Sequence, residues 1–385
     1  QVVEIPPGNS SLLLNSRDNN HTKELSMRGA DISQNALFVT VTVEDFVPLD
    51  HPLRALRDLI NEALRDLDGL FGSIYADAGR ESIPPERLVR ALLLQVLYTI
   101  RSERQLMEQV RYNLLYRWFV GLTIDEAVWS HSTFSKNRDR LLAHDVVGEL
   151  FETVVAMARV RGLLSEEHFS VDGTLIQAWA SHKSFRPKDE GPGNSGRNQE
   201  RDFHGEERQN DTHHSVTDPD ARLYRKSQGT GAILCYQGHG VMENRHGLVV
   251  KAKVSHATGT AERDTALALL KTLPGNRRKT VGGDKGYDVE SFVAGCRAAR
   301  ITAHVAARKK GSAIDQRTQR HAGYGVSQRV RKRIEETFGW NKSIGLLRQV
   351  KQRGLARVDA LFQFGMLSWN LVRMRNILAL NAVSG

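Results

Sequence analysis

The first half of the chain is patterned as helices. Between His51 and about Leu150, Leu53, Leu56, Ile60, Leu64 and Leu67 recur at spacings of three and four, which draws one apolar stripe along a helix. Pro84 and Pro85 mark the start of a second helix through Leu88, Leu92, Val96 and Leu97. Ser102 and Gln105 have the spacing of a capping box for a third, which carries Arg104, Gln105, Glu108, Gln109 and Arg111. The two helices joined across Thr99 to Ser102 read as a helix-turn-helix whose polar second helix can enter a major groove. An ordinary bundle with a solvated polar face fits the same pattern.

The period changes near Glu167. In Glu167-His-Phe-Ser-Val-Asp172-Gly-Thr174, Phe169 and Val171 alternate with Ser170 and Asp172, so a strand carries its acid on the face opposite Phe and Val. Between Ser184 and Asp220 the only apolar candidates for a core, Pro and Gly apart, are Phe185, Phe203 and Val216, too few to fold alone. This segment, about 184–220, is expected to be a mobile polar loop between strands. Its histidines His204, His213 and His214 lack ligand-like partners. Strands follow at Ala232–Tyr236 and Gly238–Met242, and after a turn at Asn244–Gly247 a hairpin partner runs from Leu248 to Val254. A helix over Thr260–Leu273, a strand ending at Asp284, a helix over Val289–Arg300, a strand at Ile301–Val305 and helices from Ser327 and Val358 complete the chain. The fold class is mixed α/β after an all-helical region, divided as residues 1–36, 37–150 and 160–385. The chain begins with Gln1, and residues 1–26 are polar and without period. They are expected to be upstream translation or a fragment edge, without a fold of their own.

Three acids draw attention. Asp172 and Asp284 end strands, and Glu335 lies in a helix crowded with positive charge. Two strand-end aspartates and a helix glutamate can clamp a pair of hard divalent ions, which take oxygen ligands and are shared with phosphates. Such a pair stabilises the attacking and leaving oxygens of an in-line phosphoryl displacement. On one continuous helix Arg331, Glu335 and Lys342 share a face, while Glu336 points about 100° away, making Glu335 the ligand and Glu336 the fallback. Arg331 and Lys342 then flank the site, within reach of phosphates. Lys285 and Tyr287 are weaker candidates to approach DNA. The bland readings are a basic solvated helix with a chance acid pair, a turn capped by Asp284 and a helix capped by Asp288.

Composition narrows the classes. The net charge of +10 favours a polyanionic partner. Cys235 and Cys296 form no C-x-x-C pair, which argues against a zinc site or a disulfide framework. The most apolar helix, Leu361 to Met374, contains Gln363, Asn370 and Arg373 and is expected to be a core helix, not a membrane span. No Walker A, dinucleotide, H-E-x-x-H or G-x-S-x-G motif occurs, so no nucleotide cofactor is implied.

From roughly Met27 onward the chain resembles a DDE transposase of the insertion-sequence type, insertion-sequence family five. Val171-Asp-Gly-Thr174, Asp284-Lys-Gly-Tyr-Asp288 and Ile334-Glu-Glu-Thr-Phe-Gly-Trp340 resemble its catalytic blocks. Asp50-His-Pro-Leu53, Ser102–Gln109, Arg117-Trp-Phe-Val-Gly121 and Thr133-Phe-Ser-Lys-Asn-Arg138 resemble its N-terminal domain. Arg331, Glu335 and Lys342 fit the spacing of the Y-x-x-R-x-x-x-E-x-x-x-x-x-x-K signature, with Gln328 in the tyrosine's place. The resemblance implies an RNase H-like core in which Asp172, Asp284 and Glu335 are catalytic and hold two Mg²⁺, with Mn²⁺ as a substitute. It implies cleavage and joining of double-stranded DNA bearing inverted repeats. Arg331, Lys342, Lys285, Arg104, Lys136 and Arg138 are then DNA contacts, the partner is a second copy of the chain, and the setting is the prokaryotic cytoplasm at the nucleoid. The rivals are an RNase H-like nuclease without strand joining and a catalytically inactive DNA-binding protein.

Overall fold

The computed structural model describes residues 40–74, 82–188, 208–226 and 229–384. The chain divides into Gln1–Val41 and a compact unit, Thr42–Gly385. The expected extension over residues 1–36 lies outside the described residues.

The unit opens with helices. α1 (Leu53–Asp66) buries Leu53, Leu56, Leu59, Ile60, Ala63 and Leu64, the stripe read from the sequence with its flank filled in. After α2 (Asp68–Ile74) comes α3 (Pro85–Leu97), with Pro85 in the first turn, where the missing N–H has no partner to lose. α4 (Glu103–Tyr112) is capped by Ser102, whose hydroxyl accepts from Gln105 N at 3.2 Å. α5 (Leu114–Val120) ends at Gly121 with φ 93°, a left-handed conformation suited to glycine. α6 (His131–Ala143) and α7 (Val146–Val160) complete the helical region.

The chain continues through β1 (His168–Gln177), β2 (Phe185–Pro187), β3 (His213–Ser215), β4 (Arg222–Tyr224), β5 (Ile233–Glu243) and β6 (Val249–His256). Then follow α8 (Ala261–Lys271), β7 (Lys279–Gly283), α9 (Glu290–Ala298) and β8 (Ile301–Val305). α10 (Gln316–Arg320), α11 (Ala322–Val330), α12 (Arg333–Ser343) and α13 (Leu355–Ser384) close it. The main sheet runs β6-β5-β1-β7-β8, with short β4 also pairing with β5. β6, β5 and β1 are antiparallel neighbours, and β7 and β8 run parallel to β1. This is the RNase H-like arrangement, preceded by the helical region.

α8 and α9 cover one face of the sheet, and α11, α12 and α13 cover the other. α13 is the expected core helix, burying Val358, Phe362, Phe364, Met366, Leu367, Leu371 and Met374. It also closes the β6 edge. Asn370 accepts from Val249 N at 2.8 Å and donates to Val249 O at 2.7 Å, and Asp359 accepts from Val254 N at 2.6 Å. Side chains thus satisfy backbone groups that an open edge would present to another chain. α13 packs against α1, α3 and α7 as well, so the helical region and the sheet share one continuous core.

Two expectations are corrected. The strands at 232–236 and 238–242 form one strand, β5, because Gln237 is buried and the pairing with β1 runs through it. The polar segment is ordered at both ends, where β2 pairs with β3. Its residues bury by hydrogen bonding instead of hydrophobicity: the Ser184 and Ser215 hydroxyls lie 2.8 Å apart, and the buried Asp218 accepts from the Tyr236 hydroxyl at 2.6 Å. Phe185 stacks on His213. Phe203 and His204 lie outside the described residues.

Candidate active site

The register of two strands sets the site. β1 and β7 pair in parallel as His168 with Thr280, Phe169 with Val281 and Ser170 with Gly282. The pairing ends there, and Asp172 and Asp284 each follow two residues later at equal offsets, Asp284 just past the end of β7, with its charge acting on Asp172. Asp172 is half-buried and faces away from the buried Phe169 and Val171, as the alternation predicts. Asp284 is exposed at the end of β7, and its Oδ1 accepts from Gly286 N at 2.7 Å. It therefore caps the turn Lys285–Tyr287 while its second oxygen stays available.

Glu335 arrives from α12. Opposite Asp172 on β5 stands Gly240. A Cβ there would lie 3.3 Å from Phe338 and 3.4 Å from Ile334 of α12. The missing side chain lets Ile334 and Phe338 of α12 pack on β5, on the same face as Asp172, with Glu335 between them in sequence. The expected continuous helix is interrupted: α11 ends at Val330 and α12 begins at Arg333. Glu335 N donates to Lys332 O at 3.0 Å, a tightened turn where the cations Arg331, Lys332 and Arg333 meet and Arg333 swings out to donate to Asn244 O at 2.9 Å. Arg331 thus closes α11 while Glu335 and Lys342 lie on α12, and Arg331 and Lys332 keep helical backbone angles between the two. Glu335 is nevertheless the α12 acid whose charge acts on Asp172.

A fourth carboxylate joins them from the opposite side of the sheet. Glu262, in the first turn of α8, packs over Gly173, where a Cβ would lie 3.0 Å from its Cγ. Burial first, then repulsion from Glu262, Asp284 and Glu335, pushes Asp172 up to about 7, against a hydrogen bond from Gly173 N at 2.9 Å. Burial and then Asp284 raise Glu262, opposed by Tyr287, Lys226 and Gly173 N. Lys226 and Lys342 offset this repulsion only in part, since Asp172 and Glu262 both stay raised. All donors are hard oxygens, which suits a divalent cation of the Mg²⁺ kind. Among the described residues no three His, Cys, Asp or Glu side chains stand close enough to hold a metal ion as they are. The donor set fits such an ion by its chemistry and charge.

The other anticipated residues are spread more widely. Lys342 is half-buried near Asp172; burial and then Lys226 lower its pKa, and Asp172 opposes them. Arg331 donates from Nε to Gln328 Oε1 at 3.2 Å, and Gln328 donates to His304 O. In the signature's tyrosine position, Gln328 ties α11 to β8 and orients Arg331. Lys285 is exposed on the turn beside Asp284. Tyr287 is wholly buried with its hydroxyl toward Glu262, so its approach to DNA is corrected to a supporting role. Asp288 is no helix cap: fully buried, it accepts from Arg308 N at 2.6 Å and Ala313 N at 2.8 Å. Arg104 and Lys136 are exposed on α4 and α6. Arg138 is drawn into ion pairs with Glu103 and, at 2.9 Å, Asp139. Glu262 and Lys226 escaped sequence reading because no local motif surrounds them; only the packing of α8 on β1 brings Glu262 in.

The model of the Transposase domain (DUF772) matches residues 41–140, and that of the Transposase DDE domain matches residues 164–371. No curated protein matches the chain. Among solved structures, the piggyBac transposase synaptic complex with hairpin DNA aligns at 8% identity and a TM-score of 0.42, over 84% of this chain and 75% of that one. The Mos1 strand transfer complex aligns at 9% identity and a TM-score of 0.18, over 78% of this chain and 79% of that one. Likenesses of that size carry no weight beside the family models. Matched over more than half of its length by the second model, the chain belongs to the Transposase DDE domain family.

Proposed function

We propose that the chain is the transposase of an insertion sequence, of the family-five type it resembles, and that it cuts and joins DNA at the element's inverted-repeat ends. The observation that supports this reading is that Asp172 on β1 and Asp284 just past the end of the neighbouring parallel strand β7 act on each other by charge, together with Glu335 of α12. Asp172, Asp284 and Glu335 would hold the divalent ions, Mg²⁺ or Mn²⁺ in its place, and Glu262 adds negative charge behind them. Bound there, a pair of such ions supplies activation of the attacking oxygen and stabilisation of the leaving one. Water is the first nucleophile. The 3′-hydroxyl it frees is the second, attacking another strand. Lys342 and Arg331 stand where they can neutralise phosphates beside the reacting one, and exposed Lys285 can grip the backbone next to Asp284. Arg104 and Lys136 offer exposed charge for duplex DNA on the helical region. Joining two ends calls for two active sites, so a homodimer is the working form.

The test is Mg²⁺-dependent cutting and joining of DNA that carries the repeats flanking the gene, with Asp172→Asn alongside. Joined products that vanish in the variant support the reading. Cutting without joining would favour a nuclease, and binding indifferent to Asp172→Asn without any cutting would favour an inactive DNA-binding protein.

A further inference from the structure

A cleft of about 970 Å³ opens between the helical region and the sheet, walled by α3 and α6 on one side and by α12, α13 and the segment 346–352 on the other. Arg101, Lys342, Arg348 and Lys351 line it together with Arg138 and Arg357, which are paired with Glu103 and Asp139 just outside the lining. Its floor is apolar, formed by Val96, Val147, Leu361 and Phe364. At its edge stands Trp179, 45% exposed, with the Lys351 ammonium 5.9 Å from its ring. This large surface aromatic is held in place. Gln177 O accepts from Val350 N at 3.0 Å, and Gln349 donates to Ala178 O at 3.4 Å, so the end of β1 is stitched to the segment bearing Arg348 and Lys351.

We propose that this cleft binds an unpaired stretch of DNA strand leading away from the carboxylate site, with a base stacked on Trp179. The proposal rests on the DNA-processing reading above. Cations suit phosphates, but an apolar floor and an exposed indole suit the face of a base, which a paired duplex keeps within its stack. The volume lies at the upper end of ligand pockets and holds a few nucleotides, not a double helix whose major groove alone is about 12 Å wide. The position is also right. Lys342 belongs to both the cleft and the surroundings of Asp172. From Asp172 to Gln177 the strand advances roughly 17 Å, the length of a few nucleotides.

The test is binding of a short thymidine oligonucleotide and of a blunt duplex of unrelated sequence, without metal, to the full chain and its variants. Trp179→Ala weakens oligonucleotide binding by about tenfold, Trp179→Phe retains most of it, and duplex binding changes little in either. Arg348→Ala with Lys351→Ala weakens oligonucleotide binding and flattens its salt dependence. Trp179→Ala binding the oligonucleotide as the parent does, with an unchanged melting curve, would overturn the proposal. So would equal losses for oligonucleotide and duplex in the Trp179 variants. Because no cleavage is read, a chain that cuts no DNA but shows this Trp179 dependence would sink the transposase reading and leave the cleft standing. Normal cutting without that dependence would do the reverse.

Discussion

The helical region and the sheet treat charge in opposite ways. In the helical region most of the half-buried and buried cations meet partners, although Arg57 Nε has none among the described residues and burial and Arg57 lower the pKa of Arg90. Arg117, 4% exposed, donates to the carbonyls of Thr123 and Glu126; Arg90 donates to Val120 O at 2.9 Å and Asn61 Oδ1 at 2.8 Å; Arg138 pairs with Glu103. Arg54 and Arg57 lie over the Trp118 ring, whose N–H donates to Glu44. On the sheet, by contrast, the charges of Glu262, Asp284 and Glu335 act on Asp172, acid against acid, only partly offset by Lys226 and Lys342. Folding favours the first arrangement and opposes the second. A cluster that the fold holds together against its own repulsion makes sense when a cation completes it, whereas a cluster satisfied from within is scaffold.

The contrast can be broken in order of size. Asp172→Asn, Asp284→Asn and Glu335→Gln should each lower strand cleavage by about a thousandfold or more, since a lost ligand removes several kcal/mol of transition-state stabilisation. Their melting temperatures in chelator should equal or exceed that of the parent. A variant that also unfolds would place the acid in the scaffold. On the other side, Arg138→Ala leaves half-buried Glu103 with only the Ser135 hydroxyl to offset its charge and should cost about 1–2 kcal/mol in urea unfolding.

Packing tests the link between the regions and the chemistry. Gly240→Val pushes against Phe338 and Ile334 and should cost about 1–3 kcal/mol. It should reduce cleavage further than that loss explains, because α12 carries Glu335. Cleavage that only tracks the folded fraction would show that the seating of α12 is not critical.

A pH dependence follows from Asp172. Its folded value of about 7 stands above the ordinary 3.8, so the folded chain binds an extra proton between roughly pH 4 and pH 7. In chelator its contribution to stability is present at low pH and lost as pH rises through that window. The parent's melting temperature should therefore fall relative to that of Asp172→Asn between pH 5 and pH 7 by a few degrees. Parallel curves would contradict it. The smallest effect is expected from Arg104→Ala: slightly weaker duplex binding and a salt slope reduced by about one, read from affinities at several salt concentrations.

Much of this was legible in the sequence where periodicity is local. The α1 stripe, the cap at Ser102, the alternation around Asp172 and the strand ending at Asp284 follow from neighbouring residues alone. The equal offsets of the β1 and β7 pairs were not visible, since register is set by packing. Glu262 is a first-turn helix acid like many others until α8 crosses Gly173. The pairing of β2 and β3 hides in a polar stretch because serine and histidine bury through hydrogen bonds. The two-residue interruption before α12 is one that helix periodicity does not register. Trp179 reads as any surface aromatic until segment 346–352 folds back beside it.

The most direct test of the central claim is a Mn²⁺ titration of the full chain followed by electron paramagnetic resonance, with Asp172→Asn and Glu103→Gln as the paired comparison. Mn²⁺ should bind the parent and Glu103→Gln alike, and Asp172→Asn should lose that binding. Mn²⁺ binding that is equal in all three, or absent from the folded parent, would contradict that claim.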